Sequence, residues 1–249
     1  MLTRRTLLSA LPLLAIQPQY KLIAHRGGVV GEGKPENSRA ALKAAKAEGY
    51  WMVEVDIRQS KDGEPVLYHD AKLGKYHATA ARAEDLTWKE LAALSPKLLH
   101  FEEACALCEG RLRLMLDLKG RDWPRAFYKR ILKLMEDAKI PQPIYSLGGP
   151  RVLPLFDERV MVSINPRELA QQEVDPAKFF LFDIAESLNA DNIGLARKRG
   201  LVPIAAINTF RYTMAKRDEE MGPAEDFAKL KSLGVQHYQI DSRYSHLFV

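Results

Sequence analysis

Two acidic residues in an apolar segment are the first sign of chemistry in this sequence. Glu54 and Asp56 alternate with Val53, Val55 and Ile57 in MVEVDI, so on a β-strand both carboxylates lie on one face. A parallel strand is normally buried on both faces, and two buried carboxylates repel each other unless a cation joins them. A bound metal ion explains this pair more easily than two solvated charges at a strand edge.

The same spacing recurs in LRLMLDLKG, where Asp117 and Lys119 share a face. Three carboxylates form an oxygen-rich set that suits Mg²⁺ or Ca²⁺, whereas zinc prefers imidazole and thiolate ligands. We therefore predict that Glu54, Asp56 and Asp117 bind a divalent cation. Lys119 either holds an anionic substrate or extends into solvent at the strand end.

Two histidines end further apolar segments, His25 in LIAHR and His69 in VLYHD. The active sites of (β/α)₈ barrels lie at the carboxyl ends of their strands, so both imidazoles are expected at the same mouth as the carboxylates. A lone histidine is usually structural, but two at equivalent strand ends indicate proton transfer. One would take a proton from the attacking oxygen and the other would give one to the leaving oxygen.

An anion-binding segment follows His25. Arg26 offers a guanidinium that suits phosphate, and Gly27-Gly28 lets the backbone approach a ligand. Glu36 and Asn37 lie in PENS, which opens a helix. They either only cap that helix or also contact the site.

The elements that must position these residues alternate between strand-like and helix-like, as in consecutive βα units around a parallel sheet. Nine segments read as strands, at 22–26, 52–57, 65–69, 112–118, 143–147, 160–164, 179–184, 202–207 and 235–240. Six read as helices, at 38–48, 87–94, 102–109, 123–137, 190–198 and 224–232. We predict an α/β protein, a (β/α)₈ TIM barrel with a small insertion, residues 70–111, after the third strand. Since the barrel takes eight strands, FFLFDI (179–184) is expected to be the extra one.

Composition favours one enzyme-sized domain. The chain has 249 residues, 47% of them hydrophobic, with a net charge of +5, and residues 20–249 are long enough for a single barrel. No basic run with interleaved aromatics supports nucleic-acid binding. Cys105 and Cys108 have no second pair to complete a zinc site, so we interpret them as small apolar core residues.

The first 19 residues are interpreted as a targeting segment. Arg4 and Arg5 precede an apolar stretch at 7–16 that is too short to span a bilayer. The segment is similar to a twin-arginine signal, which predicts export to the periplasm or the cell exterior. Retention as an uncleaved N-terminal anchor is the alternative.

The ordered motifs HRG, PENS, EVDI, DGEPVLYHD and DLK, between Ile23 and Lys119, resemble the glycerophosphodiester phosphodiesterase family. The resemblance implies a (β/α)₈ barrel that uses a divalent cation to hydrolyse small glycerophosphodiesters to glycerol 3-phosphate and an alcohol. It also implies that His25 and His69 are the acid/base pair, and that Arg26 and Lys119 contact phosphate. Glu54 and Asp56 match the family's metal carboxylates, and Asp117 stands where the family usually has glutamate.

Two other functions remain open at this point. One is a phosphodiesterase that cleaves intact phospholipid, similar to the sphingomyelinase D-like toxins. The other is an exported protein that binds phosphate ligands on a barrel without catalysing a reaction.

Overall fold

The computed structural model describes residues 20–75, 79–120 and 122–248, and the predicted targeting segment lies outside them. The strands are β1 (Lys21–Ala24), β2 (Met52–Gln59), β3 (Pro65–Leu67), β4 (Leu99–His100), β5 (Arg113–Leu118), β6 (Tyr145–Ser146), β7 (Met161–Ile164), β8 (Phe179–Ile184), β9 (Pro203–Ile207) and β10 (His237–Ile240). The helices are α1 (Arg39–Ala47), α2 (Trp88–Leu94), α3 (Phe101–Cys108), α4 (Arg125–Asp137), α5 (Pro166–Gln171), α6 (Ala190–Lys198), α7 (Thr209–Ala215) and α8 (Met221–Ser232).

Eight of these strands form a closed parallel barrel, as predicted. Each pairs in parallel with its neighbours in the order β1, β2, β5, β6, β7, β8, β9, β10, and β10 pairs with β1 to close the ring. Helices lie between most strands, and 3₁₀ segments at Pro150–Phe156 and Ser242–Phe248 follow β6 and β10. The fold is a (β/α)₈ TIM barrel.

The prediction that FFLFDI is the extra strand was wrong. This segment is β8, which pairs in parallel with both β7 and β9. The strand outside the barrel is β3, from the segment PVLYH, which runs antiparallel to the end of β2 and to β4. Five residues, Ser60 to Glu64, separate β2 from β3. Ser60 N–H donates to the Glu64 carbonyl, and Glu64 N–H donates to Ser60 Oγ. So short a connection produces a hairpin, since a parallel crossover needs a dozen or more residues.

The insertion therefore begins earlier than predicted. It starts after β2 and has a small core of its own, built from Val66, Tyr68, Leu73, Ala83, Leu91 and Leu98. It ends where α3 begins, because α3 packs between α1 and α4 as the barrel helix of this unit. Within it, α2 starts with the capping box expected from its sequence, Thr87 and Glu90 each satisfying a backbone amide of the other.

The barrel interior explains why polar side chains gather at one end. A layer of apolar residues fills it, consisting of Ile23, Met52, Met115, Tyr145, Phe180 and Ile204. Because side chains on a strand alternate between faces, the residues two positions further along β1, β2 and β5 also point inward. These are His25, Glu54 and Asp117, which stand one layer above the apolar core at the carboxyl end of the barrel.

Candidate active site

The three carboxylates meet as the strand register requires. Asp56 on β2 lies directly opposite Asp117 on β5, and Glu54 is one inward position below Asp56. Each of the three offers an oxygen within 4.8 Å of the others. Glu54 and Asp56 are completely buried, whereas Asp117 is partly exposed at the rim.

Lys119 compensates part of this charge from within the group. Lys119 Nζ lies 2.8 Å from Asp56 Oδ1 and 2.6 Å from Asp117 Oδ2. Burial together with Asp56 and Asp117 raises the pKa of Glu54 well above its ordinary value. Burial also opposes ionisation of Asp56, but Lys119 and His69 outweigh it and lower the Asp56 pKa.

The residues present fit a hard divalent cation. Glu54 Oε1 is buried without a hydrogen-bond partner among the described residues, and a buried carboxylate oxygen in that state is costly. Three carboxylates against one lysine leave an excess of negative charge that a Mg²⁺ or Ca²⁺ ion would balance, with carboxylate oxygens as its preferred ligands.

His25 is held from the opposite side of the mouth. Its Nδ1 lies 2.6 Å from Oδ1 of Asp241, the residue that follows β10. The backbone N–H of Thr209 donates to the other oxygen of Asp241 at 2.6 Å, so this carboxylate is fixed at both ends. His25 Nε2 faces the carboxylate group, 4.0 Å from Glu54 Oε2.

His69 reaches the mouth by a different route from the one predicted. It follows the antiparallel strand β3, which turns back toward the barrel and brings His69 beside Asp56 and Arg26. Its Nδ1 lies 2.8 Å from Asp70 Oδ1. Arg58, a buried residue of β2, donates from Nη2 to the His69 carbonyl at 2.8 Å and from Nη1 to Glu84 at 2.9 Å.

Arg26 lies between the two histidines. Its backbone N–H donates to Glu54 Oε2 at 2.7 Å, and its Nη2 is 3.2 Å from His69 Nε2. Nη1 donates to Glu36 Oε2 at 2.9 Å, and this carboxylate also accepts from Lys75 at 3.2 Å. Glu36 therefore contacts the site, by its hydrogen bond with Arg26, and does not act as the cap of the helix that follows it.

Asn37 supports the Asp56 carboxylate. Its Nδ2 donates to Asp56 Oδ2 at 2.7 Å, and its Oδ1 accepts from the backbone N–H of Asp56 at 3.2 Å. The cap of α1 is Ser38, whose side chain accepts from Ala41 N–H. Gly27, at φ +79°, is needed for this packing, because a Cβ there would lie 2.5 Å from Asn37 Cα.

The structure thus brings all nine predicted residues together at one end of the barrel. Three of them, His25, Arg26 and Glu36, line a cleft of about 400 Å³. The sequence interpretation missed Asp241 and Arg58. Asp241 ends the last strand as His25 ends the first, so the same rule of polar residues at strand ends points to it. Arg58 carries no comparable signal, because a single arginine on a strand is common.

No helix in the described part of the chain is long and apolar enough to cross a bilayer. That finding concerns residues 20–248, without the two short gaps in the description.

Comparison with known proteins agrees with this geometry. The chain is 34% identical over 125 residues to glycerophosphodiester phosphodiesterase 1 of Homo sapiens, covering 45% of this chain and 37% of that protein. It is 31% identical over 98 residues to a glycerophosphodiester phosphodiesterase of Bacillus altitudinis, covering 39% of each. These matches span less than half the length of either relative.

In structure, the chain is similar to an Oleispira antarctica phosphodiesterase solved with the product sn-glycerol-3-phosphate. The TM-score is 0.70 at 18% identity, covering 91% of this chain and 96% of that one, which is a likeness of fold. Residues 25–141 match the sequence model described as the Glycerophosphoryl diester phosphodiesterase family. This segment, a little under half of the chain, contains every residue predicted for the site, so the chain is similar to that family where the site lies.

Proposed function

We propose that the protein hydrolyses glycerophosphodiesters to glycerol 3-phosphate and an alcohol, with a divalent cation as cofactor. The observation that carries this proposal is the arrangement of His25 and His69, each paired with its own aspartate, on either side of Arg26 and above the buried carboxylates. In this arrangement the two imidazoles would act as acid and base on both sides of a position where a phosphate would meet a guanidinium and a metal.

Glu54, Asp56 and Asp117 would hold the cation, which neutralises a diester oxygen and stabilises charge at phosphorus when bound. Arg26 donates to phosphate from a guanidinium already fixed by Glu36. Lys119 has three N–H donors, and its contacts with Asp56 and Asp117 leave one for a phosphate oxygen.

The histidines carry the protons. Asp241 and Asp70 accept from Nδ1–H of His25 and His69 respectively, which leaves Nε2 of His25 to accept or return a proton at the phosphate. Nε2 of His69 accepts from Arg26 Nη2 at 3.2 Å, and it would take the same role once Arg26 donates to the phosphate instead. The attacking oxygen is either water or a neighbouring hydroxyl of the glycerol moiety. The second route gives a cyclic phosphate that the same pair would then open.

The test is release of glycerol 3-phosphate from a panel of glycerophosphodiesters, with Mg²⁺, Ca²⁺ or a chelator present. Wild-type protein should release it only with a metal, and His25→Ala and His69→Ala should each lower kcat by at least about 10² while keeping the thermal transition. His246→Ala, at an exposed position outside the cleft, should match wild type. Normal rates in either active-site variant would refute the assignment.

The same assay separates the two alternatives. Release from intact phospholipid vesicles, with none from deacylated diesters, would indicate a phospholipid phosphodiesterase. Binding of the diesters with metal present but without product would indicate a non-catalytic binding protein.

We also propose that residues 1–19 direct export through a twin-arginine route. Fused to a reporter that folds in the cytoplasm, this segment should carry the reporter across the membrane, and the double substitution Arg4→Lys, Arg5→Lys should stop it. Export that is unaffected by the double substitution would argue for another route.

A further inference from the structure

A buried hydrogen bond joins the helix beside the active site to its neighbour. The hydroxyl of Tyr212, in the middle of α7, donates at 3.0 Å to Oδ2 of Asp226, a residue of α8. The two residues are only 1% and 6% exposed. Burial and the nearby Asp226 raise the pKa of the Tyr212 hydroxyl, so it keeps its proton and donates. A hydrogen bond to a carboxylate is stronger than one between neutral groups.

Arg217 holds the same carboxylate. Its Nη1 donates to Asp226 Oδ2 at 2.9 Å and its Nη2 to Oδ1 at 3.4 Å. The backbone N–H of Arg217 donates to the Tyr212 carbonyl at 2.9 Å, so this arginine is also bound to the end of α7. The Tyr212 ring packs on Gly222 near the start of α8, where a Cβ would lie 2.8 Å from the ring. Helix α7 is therefore fixed to α8.

The amino end of α7 reaches the active site. Thr209 is the first residue of this helix, and its N–H, which has no acceptor within the helix, donates to Asp241 Oδ2 at 2.6 Å. The other oxygen of Asp241 lies 2.6 Å from His25 Nδ1. The direction in which Asp241 holds the imidazole therefore depends on where α7 places the Thr209 amide.

Tyr212 also contacts the chain segment that carries Asp241. Its ring meets the ring of Tyr244 edge to face, with the centroids 6.3 Å apart. Tyr244 is buried, and its N–H donates to the Asp241 carbonyl at 2.9 Å. Since Tyr212 follows Thr209 by three residues, about one helical turn, it lies close to the amide that holds Asp241. One side chain thus connects α8, α7 and the Asp241 segment.

We propose that Tyr212 is a positioning residue for the reaction, whose hydrogen bond with Asp226 fixes α7 so that Thr209 and Asp241 hold the His25 imidazole in its reactive orientation. Tyr212 is buried and does not line the cleft, so it acts through Asp241 and not on the substrate. The inference rests on the proposed function, since it takes His25 as one of the two acid/base groups. A displacement of about 1 Å at a catalytic group can lower the rate by about 10².

The first test is Tyr212→Phe, which removes the hydroxyl and keeps the ring. The assay is release of glycerol 3-phosphate from glycerophosphocholine with Mg²⁺ or Ca²⁺ present. We expect kcat to fall by about tenfold, because His25 is less well placed. KM should change by less than about twofold, because the groups proposed to bind the phosphate are kept.

A double-mutant cycle shows whether Tyr212 acts through Asp241. In Asp241→Asn the orientation of His25 is already lost, so adding Tyr212→Phe should lower kcat by less than about twofold more. A general structural role would give the same loss of kcat in both backgrounds. That result would overturn the inference.

Tyr238→Phe is the matched control. Tyr238 is fully buried on β10, the strand that ends just before Asp241, and its hydroxyl donates to the Val235 carbonyl at 2.9 Å. Each variant loses one buried hydrogen bond, so both should melt about 2–6 °C below the wild-type protein. Tyr238→Phe should keep the wild-type kcat. An equal loss of kcat in the two variants would overturn the inference, because lower stability would then explain both.

Amide exchange separates this inference from the proposed function. Hydrogen exchange at Thr209, followed by NMR, reports how firmly its N–H is held without any turnover. Exchange should be at least about tenfold faster in Tyr212→Phe than in the wild-type and Tyr238→Phe proteins. If the wild-type protein hydrolyses glycerophosphocholine while Thr209 exchanges at the wild-type rate in Tyr212→Phe, the inference fails and the proposed function stands. If exchange responds as expected but the wild-type protein hydrolyses no diester, the proposed function fails instead.

Discussion

The two histidines of the site differ in how their aspartates are held. Asp241 is about half as exposed as Asp70, with side-chain exposures of 24% and 45%, and it also accepts the backbone N–H of Thr209. Burial opposes the charge on Asp241, yet the contact with His25 lowers its pKa below the ordinary value. The His69 hydrogen bond lowers the pKa of Asp70 in the same direction. Both aspartates therefore remain ionised at neutral pH, and among the described residues Asp241 has a second hydrogen-bond partner, Thr209, where Asp70 has His69 alone.

From this difference we predict unequal effects of two matched substitutions. Asp241→Asn should lower kcat by about 10² or more, because the amide can present an N–H to His25 Nδ1 and so favour the wrong tautomer. Asp70→Asn should lower kcat by about tenfold or less, since water can replace a half-exposed partner. Steady-state kinetics with thermal melts of both variants checks this, and equal losses would mean that Asp241 has no special role.

Most of the site could be predicted because its residues stand at strand ends with a spacing of two. This pattern applies to His25, Glu54, Asp56 and Asp117, which follow from alternation along β1, β2 and β5. The ion pair between Arg26 and Glu36 could not be predicted from the sequence. Arg26 adopts a left-handed backbone with φ 53°, and no sequence pattern indicates that conformation at an arginine.

At the scale of elements, the hairpin of β2 and β3 is the part of the fold that sequence patterns misassigned. PVLYH and FFLFDI are both short apolar runs, and apolar character alone does not separate a barrel strand from a strand beside the barrel. The length of the preceding connection distinguishes the two segments, because the turn before β3 is too short for a parallel crossover. Antiparallel pairing is what turns His69 back over the mouth.

Arg58 keeps this hairpin in place, and its loss should affect both stability and catalysis. Arg58→Gln removes the hydrogen bonds to the His69 carbonyl and to Glu84, so we expect the free energy of unfolding to fall by about 2–3 kcal/mol. Since His69 loses its anchor, kcat should fall by about tenfold.

Arg82→Gln is the control for Arg58→Gln. Arg82 also pairs with Glu84, at 3.6 Å, but it is 54% exposed. Its substitution should change the free energy of unfolding by less than about 0.5 kcal/mol and leave kcat unchanged. Urea denaturation and steady-state kinetics of both variants test the comparison, and similar values for the two would show that Arg58 has no anchoring role.

At the scale of the whole molecule, the carboxyl end of the barrel carries an electrostatic cost that the metal should relieve. Glu54 contributes to that cost, because burial and two neighbouring carboxylates raise its pKa. Glu54→Gln should therefore stabilise the metal-free protein by about 1 kcal/mol, which for a chain of this size is a rise in Tm of about 2–4 °C.

The same substitution should abolish the rise in Tm that Mg²⁺ or Ca²⁺ gives the wild-type protein, because one ligand is lost. Glu173→Gln, at a side chain that is 83% exposed and outside the cleft, should keep the wild-type response to metal. Differential scanning calorimetry with and without chelator gives both results. An unchanged metal response in Glu54→Gln would place the cation elsewhere.

At the opposite end of the barrel, a buried histidine makes the stability of the fold sensitive to acid. His237 lies at the start of β10, with its ring 5.2 Å from that of Trp51. Burial, with a smaller contribution from Lys21, lowers its pKa from 6.5 to about 4. Between these values the unfolded chain binds a proton that the folded chain does not, so stability is lost as pH falls from 7 toward 4.

At pH 5 this one histidine should cost about 2 kcal/mol relative to pH 7. His237→Gln cannot titrate, so the fall in its free energy of unfolding between pH 7 and pH 5 should be smaller than that of the wild-type protein by about this amount. Urea denaturation of both proteins at the two pH values measures the difference, in which the contributions of all other titrating groups cancel. If the free energy of unfolding falls equally in both proteins, His237 is protonated in the folded barrel at pH 5. The amino-terminal end of the barrel would then accommodate a charged imidazole.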